Sequence, residues 1–345
     1  MPKRVKLSDI AARCGVSIVT VSKALSGQKG VGSELREKII AMADEMGYVK
    51  SSAKEEEGHH KNYTIGVVVA ERFLQENQSF YSVFYQEISR ATVERDSFAI
   101  LEVISPSAEA AGELPKVISE KRIDALLVLG QFCGKYQESI LGQKQMPVLF
   151  LDSDAPDERA DCVLTGNLQG GKRMTDYLFS LGHSQIAFVG SRLATSSIKD
   201  RFLGYYKSLL EHGIALREDW IVSDRDKDGV VDAQRFFLLP KEMPTSFFCN
   251  CDYSANLLIR KLAERGLRVP QDVSVVGFDN YVSDQVALQS VTTYESNTRE
   301  MAKRAVQQLM KRLEGDMQSP AIYVVPGRFV EKGSARRIGE PIPFL

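Results

Sequence analysis

TIGVVVA, residues 64–70, is an uncharged run rich in β-branched side chains, and its length suits a buried strand better than a helix. Similar runs follow: FAILEV (98–103), ALLVLG (125–130), PVLFLD (147–152), QIAFVG (185–190), TSFFCN (245–250) and VSVVGF (273–278). Amphipathic patterns between them predict helices at about 80–95, 108–121, 134–143, 167–181, 199–212, 254–265 and 298–314. Apolar strands separated by helices are buried on both faces, which makes the fold class α/β with doubly wound parallel sheets. Roughly 280 residues of this pattern exceed one sheet and predict two Rossmann-like lobes.

Before residue 63 the pattern is different. Residues 49–62, VKSSAKEEEGHHKN, offer almost nothing to bury and read as a linker. The head in front of it predicts three short helices. Ser8 is placed to cap the first, with Asp9 in its first turn and Ile10, Ala11 and Cys14 on one face. Gly15-Val16-Ser17 gives a turn and a new cap. The second helix runs from about Ile18 to Leu25, with Val21 and Leu25 four apart. Ser33 caps a third, faced by Leu35, Ile39, Met42, Ala43 and Met46 and stopped by Gly47. The spacing of Ala11, Gly15 and Val21 fits a helix-turn-helix: a small residue where helices cross, a glycine in the turn, and an apolar residue packing back. Thr20 and Ser22 are short donors for phosphate oxygens. A small helical bundle for protein contacts fits the same spacing. Residues 1–50 carry nine Lys/Arg against five Asp/Glu, a net +4 on a chain whose total is −1. A basic head on an acidic body is an electrostatic footprint for nucleic acid.

The 345 residues are 43% hydrophobic and 26% charged, ordinary for a globular protein. No apolar run approaches the roughly 18 residues of a membrane span. MPKRVK leads into LSD without an apolar core, so no signal peptide is expected. Five cysteines, an odd number spread over a long chain, suit reduced thiols and a cytoplasmic setting. Gly166-Asn-Leu-Gln-Gly-Gly171-Lys172 has the skeleton of a phosphate loop, but Arg173 stands where a Ser/Thr would hold Mg²⁺. Asp224-Arg-Asp226-Lys-Asp228-Gly229 resembles the start of a calcium loop, yet Arg235 occupies the place of the bidentate Glu, so an acidic surface turn is expected. Cys249-Asn-Cys251 and His59-His60 lack partners at metal spacing, and no serine sits in a nucleophile elbow. No catalytic, cofactor or metal site is expected.

The stretch LSDIAARCGVSIVTVSKALSG, continued by VGSELREKIIAMADEMGY, closely resembles the DNA-binding headpiece of the LacI/GalR family of bacterial repressors. LGHSQIAFVG (181–190), DRFLGYYKSLL (200–210), VPQDVSVVGFDN (269–280) and TTY (292–294) extend the resemblance over nearly the whole chain. It implies a periplasmic-binding-protein-like core whose chain crosses between lobes three times, near 163–166, 290–295 and 323–327. It divides the chain into a headpiece, 1–49, a hinge, 50–62, an N-terminal lobe, 63–163 plus 294–324, and a C-terminal lobe, 164–293 plus 325–345. Ile18, Val19 and Lys23 fall where the family reads base edges, and Ser17, Thr20 and Ser22 where it contacts phosphates; Lys29 joins them among the implied DNA-binding residues. The implied effector residues are Phe80, Tyr81, Asp152, Arg201, Cys251 and Asp279, a set suited to a sugar, sugar phosphate or sugar acid. The implied partners are a palindromic operator, that effector and a second copy of the chain. The expected function is a cytoplasmic, dimeric, effector-responsive repressor of carbohydrate genes.

Two positions depart from the family. Cys251 stands where the family often has the Asn of an Asn-Asp pair, and a thiol is a weak hydrogen-bonding group. In the hinge, Lys50-Ser51 replaces Pro-Asn, and Glu57 replaces the leucine that wedges into the minor groove, inside an acidic run 55–57. These departures leave open an alternative, a sugar-sensing protein of the same fold that has lost specific operator binding.

Overall fold

The computed structural model describes residues 7–25, 30–46, 62–74, 80–143, 146–226, 229, 231, 237–281 and 290–339. They fall into two compact units, Met1–His59 and His60–Leu345. Among the described residues no helix is long and apolar enough to cross a membrane.

The first unit contains α1 (Leu7–Cys14), α2 (Ile18–Leu25) and α3 (Ser33–Glu45). Ile10, Ala11, Val21, Ala24, Ile39 and Ala43 form its core. Gly15 takes φ +67°, which a glycine adopts without strain, and the amide of Val16 closes the turn onto the Ala11 carbonyl at 3.1 Å. Two expected caps shift. Ser8 lies inside α1, because the helix already includes Leu7, which packs on the core. Ser33 is the first residue of α3, and the Gly32 carbonyl accepts the Arg36 amide at 2.9 Å in the cap position. Gly47 lies outside the described residues.

The second unit holds two parallel sheets. The first is built from β1 (Thr64–Ala70), β2 (Phe98–Ile104), β3 (Ala125–Leu129), β4 (Val148–Leu151), β5 (Asp161–Thr165) and, from the far end of the chain, β11 (Ile322–Val325), in the order β11-β5-β4-β3-β1-β2. Alternate residues feed opposite faces. Val67, Val69, Leu127 and Leu149 pack under α4 (Phe80–Val93) and the late helix Thr298–Leu313. Val68, Leu126, Val128 and Phe150 pack under the helix Gly134–Leu141. The expected helix at 108–121 is instead two, α5 (Pro106–Ala111) and α6 (Lys116–Ser119), so that Gly134–Leu141 is α7. Gly112 ends α5 in the left-handed conformation, φ +73°, and Pro115 offers no amide to carry the helix on.

The second sheet runs β7 (Ile221–Val222), β6 (Ile186–Val189), β8 (Ser246–Cys249), β9 (Ser274–Val276), all parallel. On one face lie α8 (Asn167–Ser180) and α9 (Ser196–Glu211), on the other α10 (Asp252–Glu264). The chain passes between sheets at Gly166, again from β10 (Thr293–Glu295) into α11 (Thr298–Leu313), and again from β11 into β12 (Arg328–Val330). α8 and α9 meet backbone to backbone. A Cβ on Gly171 would overlap the Arg201 carbonyl, and one on Gly204 would overlap that of Leu168. Of the glycines that resembled a phosphate loop, Gly171 is therefore required by this crossing and Gly170 by the close approach of Phe278 and Tyr294, and Lys172 is paired with Asp176 and Glu211 at 2.6 and 2.8 Å. The crossing brings Arg201 in toward the strand ends.

Candidate functional site

In the headpiece, Ser17 caps α2 by accepting the Thr20 amide at 3.1 Å, and the two hydroxyls meet at 2.8 Å. Val21 and Ala24 face inward. Ile18 and Val19, at the helix N-terminus, are 51% and 63% exposed. Exposed aliphatic groups gain nothing from folding there, and Lys23 lies one turn further along, also exposed. The same segment offers apolar groups for thymine methyls, a cation for guanine and, in Ser17, Thr20 and Ser22, hydroxyls for phosphates. Lys29 lies outside the described residues.

In the core, four of the six candidate effector residues form two hydrogen-bonded pairs at the strand ends. Arg201 is buried. Its Nη1 and Nη2 donate to both carboxylate oxygens of Asp279 at 2.9 Å. Nη1 also donates to the Asn250 carbonyl at 2.7 Å, Nε donates to Asn167 Oδ1 at 2.9 Å, and the Phe278 ring lies 3.9 Å from the guanidinium. Burial alone would lower the guanidinium pKa, but Asp279 and Asp152 keep it raised. Ser296 donates to Asp279 as well, at 2.9 Å. Across the cleft, the Tyr81 hydroxyl donates to Asp152 at 3.0 Å. Burial pushes the Asp152 carboxyl up to about 7, against the pull of Arg201. Asp152 and Asp279 both have left-handed backbones, φ 60° and 88°, a conformation an Asp tolerates better than most side chains. Phe80 meets the Tyr281 ring at 6.0 Å. Cys251 precedes α10, its thiol donating weakly to Ser254 Oγ at 3.4 Å, and burial pushes that thiol up.

Beside this wall, between the lobes, lies a cavity of about 1110 Å³ lined by a different set of residues, among them Arg72, Glu109, Gln131, Ser191, Arg225 and Asp226. Gln131 and Ser196 bridge the lobes: the Ser196 amide donates to Gln131 Oε1 at 3.5 Å and Ser196 Oγ accepts the Asp154 amide at 3.4 Å. The structure corrects the expectation of an acidic surface turn at 224–229, because Asp224 is fully buried. Its carboxylate accepts from Arg225 Nε and Nη2 at 3.0 and 2.7 Å and from the Ser191 amide at 2.9 Å. Asn250 Nδ2 and Ser254 Oγ complete the set at 2.6 and 2.8 Å. Burial would raise this carboxyl, but Arg225 and the hydrogen bonds hold it at about 2. No group of acidic, His or Cys side chains among the described residues could hold a metal ion. Sequence reading missed Arg72, Gln131 and Arg225. The arginine after Asp224 was the available signal, hidden in a run that reads as acidic.

Residues 6–51 match the model of bacterial regulatory proteins of the lacI family, and residues 175–335 match that of a periplasmic binding protein-like domain. The chain is 25% identical over 334 residues to the HTH-type transcriptional repressor PurR of Vibrio campbellii, covering 96% of this chain and 99% of that one. It is 28% identical over 339 residues to the PurR of Erwinia tasmaniensis, covering 95% and 96%. Among solved structures, the transcriptional regulator CelR–cellobiose complex superposes with a TM-score of 0.69 at 25% identity, over 96% of this chain and 100% of that one. The lac repressor dimer bound to operator and the anti-inducer ONPF has the same fold, with a TM-score of 0.65 at 21% identity, over 97% and 100%.

Proposed function

This chain belongs to the LacI/GalR family of bacterial transcription regulators and is not an enzyme, and from that premise we propose that it is a cytoplasmic, dimeric repressor that binds a palindromic operator and releases or holds it according to a sugar-like effector. The observation that carries this reading is the pair Ile18 and Val19, left exposed beside Lys23 on a helix whose other face is buried. The relatives are repressors, and one structural neighbour holds a sugar.

The core divides into lobes 63–163 plus 294–324 and 164–293 plus 325–345, with the effector between them. Tyr81 and Asp152 act from the first lobe, and Arg201, Cys251 and Asp279 from the second, with Phe80 on the wall. An effector that fits one lobe angle better than another shifts the population toward it, and two headpieces so linked change their fit to paired half-sites. Exposed Val93, Phe98, Ile100 and Val103 around the edge strand β2 supply apolar surface for a second copy. An electrophoretic shift with the DNA upstream of the protein's own gene tests the reading, and sedimentation tests the dimer. Retarded complex on that fragment and not on scrambled DNA is expected; equal retardation on both contradicts it.

The acidic run 55–57, which lies outside the described residues, favours a second reading, a sensor without a specific operator. Glu57→Leu separates the two, with Glu57→Gln as the control for charge. On the repressor reading Leu binds tighter and bends the operator more than Gln does. If neither differs from the parent, the sensor reading gains.

A further inference from the structure

We infer that the effector carries an acidic group, a carboxylate or phosphate on a small polyol, and that Arg225 is the residue that selects it. This inference rests on the interlobe cleft being the effector site.

Arg225 is built as an anion receptor. Nε and Nη2 grip Asp224 on one edge of the guanidinium, and Nη2 also donates to Asn250 Oδ1 at 3.2 Å. Nη1, with two N–H groups, makes no hydrogen bond among the described residues, although the side chain lines the cavity and is only 12% exposed. A guanidinium edge with two spare donors turned into a cavity is open to an acceptor. The counter-charge is tied down on the far side: five donors from Arg225, Ser191, Asn250 and Ser254 saturate Asp224. That carboxylate orients the guanidinium and is not free to fold onto its open edge.

The same cavity repeats the plan on its opposite wall. Arg72 is held by both oxygens of Glu109 and donates to the Gln131 carbonyl at 2.6 Å, and Glu109 also accepts the Cys133 amide at 2.7 Å. Two guanidiniums, each fixed by its own carboxylate, thus reach the cavity from the two lobes. A neutral hydroxyl would fill the donors of Nη1, and an anion would fill them with the attraction of opposite charge added. Between a carboxylate and a phosphate the receptor chemistry is shared, and the probes decide.

The test uses the full-length protein with matched probes: glucose, gluconate, glucuronate and glucose 6-phosphate, then galactose and galacturonate, by thermal shift and titration calorimetry. At least one acid is expected to bind about 10-fold or more tighter than its neutral partner, the gain of a charge-assisted bond. Removing Arg225 alone would strand a buried carboxylate, so Asp224→Asn is combined with Arg225→Gln, which leaves a neutral hydrogen-bonding pair. In a double variant with the parent's circular dichroism and urea midpoint, the acid should fall roughly 10- to 100-fold, to the level of its neutral partner. If that variant does not fold, Arg225→Lys keeps a charge for Asp224 but loses the fork, and the same selective loss is expected. Neutral sugars binding as tightly as acids, no acid binding at millimolar concentration, or an acid affinity unchanged in the variants each overturn the inference. An operator shift on the same preparations separates the two levels. If a neutral sugar alone releases operator, the cleft reading stands and the acid inference falls. If the parent binds no operator, it is the regulator reading that fails.

Discussion

The two surfaces assigned to recognition are built on opposite plans. On α2 the candidate binding groups stand outside the fold: Ile18, Val19 and Lys23 are exposed while Val21 and Ala24 hold the helix down. In the cleft the candidate binding groups are part of the fold: Arg201 fixes Asp279, Tyr81 holds Asp152, and Arg225 fixes Asp224. A surface that meets a long polyanion can stay solvated until it docks. A cleft that closes on a small molecule has to hold its charges in place beforehand, and each buried charge then needs a partner whether or not ligand is present. Substitutions at the exposed positions of α2 should therefore change binding without changing stability, and substitutions in the cleft should change both.

The largest expected effect is at Arg201. Arg201→Ala strands the Asp279 carboxylate and should cost about 3–5 kcal/mol of unfolding free energy in urea, besides abolishing the effector response. A cost near zero would mean that Asp279 recovers water and that the cleft is not the prepaid network described. Next comes the helix crossing: Gly171→Ala has to push α8 off α9 and should cost about 1–3 kcal/mol, displacing Arg201 as it does so.

The two buried carboxylates set opposite pH slopes. Asp152 is held up near 7 against an ordinary 3.8. The unfolded chain releases this proton first, so its contribution makes stability fall as pH rises between those values, by at most about 1.4 kcal/mol per pH unit for one proton. Tyr81, Arg201 and Asp279 are the charged or titratable groups that act on it. Asp152→Asn should flatten that slope in urea titrations between mildly acid and neutral pH. Asp224 is held at about 2, so its stabilisation is complete above the ordinary carboxylate value and is lost as pH falls toward 2. A profile unchanged by Asp152→Asn would show that the carboxyl is not buried in solution as it is in the structure.

The sequence made the layers legible because buried parallel strands are continuous apolar runs. It hid β5 and β11 for definite reasons. β5 begins with Asp161, a charge tolerated in a strand because Arg312 donates to it at 2.8 and 3.0 Å. β11 is a four-residue edge strand that joins its sheet from the far end of the chain, beyond the last strand–helix alternation that the sequence displays. Arg201 and Asp279 could be placed from motifs, but not their mutual grip, since 78 residues separate them. Arg225 was unreadable for a different reason: only burial distinguishes a carboxylate that anchors an arginine from one that decorates a turn.

The smallest expected effect on stability, none, is at Lys23, and there the account is most directly tested. The operator affinity of Lys23→Ala is measured by fluorescence anisotropy on the specific duplex and on a scrambled one, at a single stated salt concentration. The account predicts a loss of about 1–3 kcal/mol on the specific duplex alone, the worth of one base contact, with the unfolding midpoint unchanged. An equal loss on both duplexes, or no loss on either, contradicts the assignment of α2 as the element that reads DNA.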